Sequence, residues 1–147
     1  MSLKKELKSN ASQIDWALDD NYREMLPKMQ TDIMLTCGNK ILIIDAKYYL
    51  NSTSSNNWFD KDKEVNKIYS NHLYQIFSYV KNKSFENENY KVSGMLLYAK
   101  TNKNNTDINE TYKMSGNKIS VRSLDLTCNF KDIKKQLNEI IEEFFLK

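Results

Sequence analysis

Residues 31–47 read TDIMLTCGNKILIIDAK, and the fold of the chain turns on them. Two β-branched, apolar runs, 31–36 and 40–47, flank Cys37-Gly38-Asn39. A tight turn centred on Gly38-Asn39 suits residue types that tolerate positive φ, and it makes paired positions sum to 77. In the second run Ile41 and Ile43 point to one face and Leu42 and Ile44 to the other, so both faces are apolar. That pattern predicts an interior strand covered on both sides, as in an α/β layer sandwich.

The same register has a chemical consequence. Asp32 falls opposite Asp45, with Cβ atoms about 5 Å apart on one face. Lys47, two residues beyond Asp45, projects to that face as well. Like charges placed so are destabilising unless a cation lies between them. Mg²⁺ takes oxygen ligands, commonly one or two carboxylates plus water and phosphate oxygens. An isolated D-x-K is usually a solvated ion pair at a strand end. Here Asp45 follows four consecutive apolar residues and meets a matched Asp across the hairpin, which favours a metal site able to polarise a phosphate.

Outward from the hairpin, Gln13 to Asp19 alternates with the period of a half-buried strand, ending at Asp19-Asp20-Asn21. Residues 22–29 are ambiguous, and Pro27 argues against a long helix. Residues 50–63 form a polar loop. Residues 64–82 carry Val65, Ile68, Tyr69, Leu73, Ile76, Phe77 and Val80, the stripe of an amphipathic helix. On it Gln75 and Tyr79 are four apart and share a face. His72 lies three before Gln75 on nearly that face, although a lone His is more often a surface or capping residue than a ligand. Val92 to Ala99 reads as another buried strand, 101–110 as a polar excursion, and Met114 to Leu126 as a turn at Ser115-Gly116-Asn117 followed by an alternating strand. Apolar residues at 130, 133, 137, 140, 141 and 144 mark a C-terminal helix. The expected class is α/β, a mixed central sheet flanked by helices, in a single domain over 1–147.

Composition excludes little and agrees with this. The chain has 147 residues, 40% hydrophobic and 28% charged, with a formal net charge of +3, ordinary for a globular domain. Arg23 and Arg122 are the only arginines, and no basic tail argues for nucleic-acid binding by charge alone. Cys37 and Cys128 lack metal-ligand spacing. No apolar run approaches a membrane span, and MSLKKELKSN lacks a signal-peptide core, so a cytoplasmic location is the default. Lys61, Lys63 and Lys67, near Trp58 and Phe59, are candidate DNA-phosphate contacts; nothing reads as a base-specific motif.

Asp32, then Ile44-Asp45-Ala46-Lys47, then HLYQIFSY at 72–79 resembles the PD-(D/E)xK nuclease superfamily with its Q-x-x-x-Y helix, a restriction-endonuclease-like core. More narrowly, LPKMQTDIML (26–35), GNKILIIDAKYY (38–49), LYQIFSYVKNK (73–83), VSGMLLYAK (92–100) and MSGNKISVRSLDL (114–126) are similar to the McrC-type nuclease subunit of modified-cytosine-dependent restriction systems. The likeness runs from about residue 10 to the C-terminus. It implies a Mg²⁺- or Mn²⁺-dependent DNA endonuclease subunit working with a GTP-hydrolysing AAA+ partner that recognises the modified base and translocates DNA. By motif position, Asp32, Asp45 and the Ala46 carbonyl would hold metal, Lys47 would be the catalytic lysine, and Gln75 and Tyr79 would support it. Position 31 is Thr where the motif has Pro. The family also has a helix before the first strand, often with a Glu near the metal, and an N-terminal region that engages the GTPase. This chain starts almost at the first strand, and is expected to be the C-terminal part of a longer architecture. The competing expectation is a catalytically inactive or truncated module of the same fold that contacts the partner or DNA.

Overall fold

The computed structural model describes residues 7–48, 70–102 and 107–146. The 31–47 segment folds as expected, into β4 (Ile33–Cys37) and β5 (Lys40–Lys47). Their antiparallel register pairs Ile33 with Ile44 and Cys37 with Lys40, each pair summing to 77. At the turn only Gly38 takes a positive φ, 62°, while Asn39 does not. Glycine at the first central position is the signature of a type II′ hairpin, whose twist matches that of the flanking strands.

Around this hairpin a six-stranded sheet is ordered β1-β4-β5-β6-β8-β7. Its other members are β1 (Lys8–Asn10), β6 (Lys91–Lys100), β7 (Asn109–Met114) and β8 (Asn117–Asp125). β5, β6 and β8 run parallel to one another, while β1 with β4, β4 with β5, and β7 with β8 pair antiparallel. A separate two-stranded piece pairs β2 (Gln13–Ile14) with β3 (Met29–Gln30). The sheet is mixed, as expected, with its parallel strands in the middle.

Among the described residues, two helices cover the two faces. α1 (Ser70–Ser84) packs Ile76, Tyr79 and Val80 against Ile41, Ile43, Leu96 and Ile119, with Ile14 and Met29 closing the margin. α2 (Phe130–Leu146) packs Ile140 and Phe145 against Leu35, Leu42, Ile44 and Met95 on the opposite face. Alternate residues of β5 therefore feed two cores, which is why its sequence is apolar at every position from 41 to 44. Asn129 caps α2, its side-chain oxygen accepting the Asp132 N–H at 2.9 Å.

Gly94 sets how closely α1 approaches. A Cβ there would lie 2.7 Å from Ile76 Cγ1 and 2.8 Å from Val80 Cγ2, distances at which something must move. The missing side chain lets the helix sit directly on β6.

Three elements differ from expectation. The alternating stretch 13–19 is a strand only at Gln13–Ile14. Beyond it the chain is held by side chains instead of a ladder: Ala17 N–H donates to Asn82 Oδ1 at 2.8 Å, and the Trp16 indole to the Pro27 carbonyl at 2.7 Å. The supposed polar excursion 101–110 runs into β7, an edge strand exposed at its first five residues. With no buried face, it offers no alternation to read. The helix expected over 64–82 is described from Ser70, and it continues to Ser84. Lys61, Lys63, Lys67, Trp58 and Phe59 lie outside the described residues.

Candidate active site

The C-terminal end of β5, on the α1 face, collects the polar groups. Asp45 shares that face with Ile41 and Ile43 by alternation and is only 5% exposed, although it is a carboxylate. Asp32 lies one residue before β4, where the register continues opposite Asp45. Its Oδ2 accepts the Ala46 N–H at 2.9 Å. The Asp32 side chain thus adds one rung to the β4–β5 ladder beyond the last backbone pair.

The residue before it explains why Pro is dispensable there. Thr31 is buried, and its N–H donates to the Ser12 carbonyl at 2.9 Å while its hydroxyl donates to the same oxygen at 3.2 Å. Proline would delete the first of these bonds. Position 31 anchors Asp32 by hydrogen bonding here.

Lys47 lies two residues beyond Asp45. Its Nζ sits 3.0 Å from Asp45 Oδ2 and donates to Gln75 Oε1 at 2.9 Å. Gln75 in turn donates through Nε2 to the Tyr79 hydroxyl at 2.9 Å. Asp45, Lys47, Gln75 and Tyr79 therefore form one line from the strand onto the helix. The i, i+4 spacing of Gln75 and Tyr79 and the intervening Ile76 anchor fix the helical half of it. The Lys47 contact is an ion pair to buried Asp45 Oδ2, which meets no well-aligned hydrogen-bond donor. Burial, and next the Asp32 carboxyl beside it, push the Asp45 carboxyl from 3.8 up to about 6, against the pull of Lys47.

Two further residues join this cluster. His72 Nδ1 and the Tyr98 hydroxyl are 2.9 Å apart, and Tyr98 is the β6 register partner of Lys47. Burial, and then the charge of Lys47, hold the His72 imidazole below its ordinary value. His72 is half-buried and hydrogen-bonded, neither the surface nor the capping residue its sequence position suggests. Tyr98 was not legible as part of the site. Its only sequence signal is its phase with Val92, Gly94 and Leu96, which places it on the α1 face.

A divalent cation fits the donor set present. Two facing carboxylates and the carbonyl of exposed Ala46 are hard oxygen donors at one strand end, and buried Asp45 Oδ2 meets the Lys47 ammonium without a well-aligned hydrogen bond. Among the described residues no three Asp, Glu, His or Cys side chains cluster as a metal cage.

A mixed sheet between two helices, with paired aspartates and a lysine at the end of a central strand, defines a chain of the restriction-endonuclease-like class. Comparison with known proteins narrows this. No family model matches the chain. It is 31% identical over 129 residues to the type IV methyl-directed restriction enzyme EcoKMcrBC of Escherichia coli K12, a match covering 87% of this chain and 34% of that protein. The chain is thus similar over most of its length to part of an McrBC restriction enzyme, in line with the McrC-type resemblance of its sequence. Its fold is shared with a chain of the half-complex of Thermococcus gammatolerans McrB AAA+ hexamers with bound McrC, at a TM-score of 0.57 and 14% identity, covering 92% of this chain and 29% of the other. The chain thus spans about a third of the length of the proteins it matches. No described helix is long and apolar enough to cross a membrane.

Proposed function

We propose that this chain is the nuclease part of a restriction system, hydrolysing DNA phosphodiesters with Mg²⁺ or Mn²⁺ in concert with an AAA+ GTPase partner in the cytoplasm. One observation carries the reading. A buried aspartate, its facing aspartate and a lysine tethered to Gln75 converge on one face of a central strand. Asp32, Asp45 and the Ala46 carbonyl would hold the metal, which polarises the phosphate and lowers the pKa of a bound water. The Lys47 ammonium is held between the Gln75 amide oxygen and the Asp45 carboxylate. It is placed to orient the attacking water or to neutralise charge building on the phosphoryl oxygens. Gln75 and Tyr79 keep its Nζ over Asp45. Attack of water on phosphorus breaks one P–O ester bond, and the departing oxygen takes up a proton. The AAA+ partner is proposed from the solved complex and its GTP hydrolysis from the McrC-type resemblance of the sequence, and sequence choice would rest with that partner.

Plasmid cleavage with divalent metal, GTP and the partner tests this. Asp45→Ala and Lys47→Ala are each expected to lower the rate by roughly 10²–10³-fold or more. Unchanged cleavage by both folded variants overturns the assignment.

The 3.0 Å approach of Lys47 to Asp45 favours a second reading, in which the pair is purely structural and the chain is an assembly module. Calorimetric titration separates the two. Divalent-metal binding lost in Asp32→Ala supports the nuclease, and no binding by the folded chain supports the module.

A further inference from the structure

At the opposite pole of the sheet lies a cavity of about 480 Å³ that none of the chemistry above uses. Lys40 and Lys91 open β5 and β6 as register neighbours, and Lys118 enters β8 beside Ser93. By strand alternation all three lysines share the α2 face: Lys40 with Leu42, Lys91 with Met95, and Lys118 opposite to Ile119. Strand spacing puts the Lys91 and Lys118 Cα atoms about 8 Å apart, within reach of one small anion. The cavity is lined by these lysines, the half-buried rings of Tyr90 and Phe144, and the buried Ser93, with no acidic residue among its lining.

The charges are not equivalent. Lys40 Nζ is directed to the Phe145 carbonyl at 3.4 Å, at the negative end of α2. Lys91 and Lys118 form no ion pair among the described residues. About two positive charges are therefore left to balance. A phosphate monoester carries about −1.5 to −2 at neutral pH; a carboxylate or a backbone phosphodiester carries one. The volume is that of a small-ligand pocket, and the aromatic walls suit a flat apolar body beside the phosphate.

We infer that the cavity between the starts of β5, β6 and β8 and the end of α2 binds a phosphate monoester of nucleoside monophosphate size. Asp45 lies five residues along β5, about 16 Å away, on the other face. The cavity is a second site, separate from the carboxylate pair.

Amide NMR of the whole chain in EDTA tests this with inorganic phosphate, AMP and a 5′-phosphorylated trinucleotide as probes. AMP is expected to shift the Lys91, Ser93 and Lys118 amides at lower concentration than inorganic phosphate. The Lys91→Ala, Lys118→Ala double variant should weaken AMP about tenfold or more, Lys118→Arg should retain it, and Asp45→Ala should leave it unchanged. Binding of AMP alone identifies a free nucleotide as the source, and equal binding of the trinucleotide identifies a nucleic-acid terminus. The assignment is overturned if neither AMP nor the trinucleotide moves these amides, or if inorganic phosphate matches AMP. It is also overturned if a pentaglutamate peptide moves them equally. Because no metal is present, these outcomes are independent of whether the chain cleaves DNA.

Discussion

Asp45 concentrates the conflict between stability and chemistry in this chain. Its carboxyl is raised from 3.8 to about 6, with burial the first cause and Asp32 the second. A raised acid is more stable in the fold when protonated. Its contribution is therefore fully present below about pH 4 and is lost as the pH climbs through about 6. Metal-free protein should lose stability across that window, by a few kcal/mol at most, and thermal melts from pH 4 to 7.5 would show it. Asp45→Asn should flatten that dependence and raise the melting temperature at pH 7.5 while abolishing cleavage. A variant that both loses activity and melts lower at neutral pH would contradict this account. Thr31 makes a smaller point at the same scale. Thr31→Pro should destabilise, by roughly 1–3 kcal/mol, because the part-buried Ser12 carbonyl loses both its N–H and its hydroxyl donor.

Helix and strand meet at Gly94, against the turn of α1 that carries Gln75. The side chains a methyl would strike belong to Ile76 and Val80, flanking Gln75 and Tyr79 on α1. Gly94→Ala should lift the helix, cost roughly 1–3 kcal/mol in denaturant melts, and slow cleavage more than its stability loss explains. Gly38→Ala is the control. Nothing lies within 4 Å of its Cβ, but its φ of 62° should cost about 1–2 kcal/mol while leaving the site intact. At this scale the sequence was informative wherever one pattern had one cause. The turn at Gly38 fixed the register, and register alone brought Asp32, Asp45 and Lys47 together. The i, i+4 spacing paired Gln75 with Tyr79. That the helix would dock so as to bring Gln75 to Lys47 was not legible from spacing, because it depends on how closely α1 packs on β6, a strand adjacent in space but remote in sequence. β1 and β7 were illegible for a different reason: short or exposed edge strands bury too little to impose a period.

At the scale of the molecule, the described residues form a sheet with a helix on each face, and the two cores are not interchangeable. Leu42 is fully buried in the α2 layer, away from the carboxylates. Leu42→Ala should cost roughly 2–5 kcal/mol, measured by denaturant unfolding, with cleavage by the remaining folded protein unchanged at low temperature. An effect on rate as large as that of Lys47→Ala would mean that the two layers are coupled. The sequence revealed both layers through the unbroken apolar run 41–44. It could not reveal how α2 ends beside the starts of three strands, because the lysines there are scattered over positions 40, 91 and 118. Only the parallel register gathers them.

The rung that Asp32 adds to the ladder makes one backbone proton a reporter. The Ala46 amide is tied to a carboxylate that would also serve a cation, not to a backbone carbonyl. Its exchange with deuterium oxide should therefore accelerate selectively in Asp32→Ala, while Ile43 and Ile44 at the centre of the sheet keep the slow exchange of global unfolding. Measured with and without Mg²⁺, that single proton would register whether the carboxylate keeps its hold on the strand as the ion arrives.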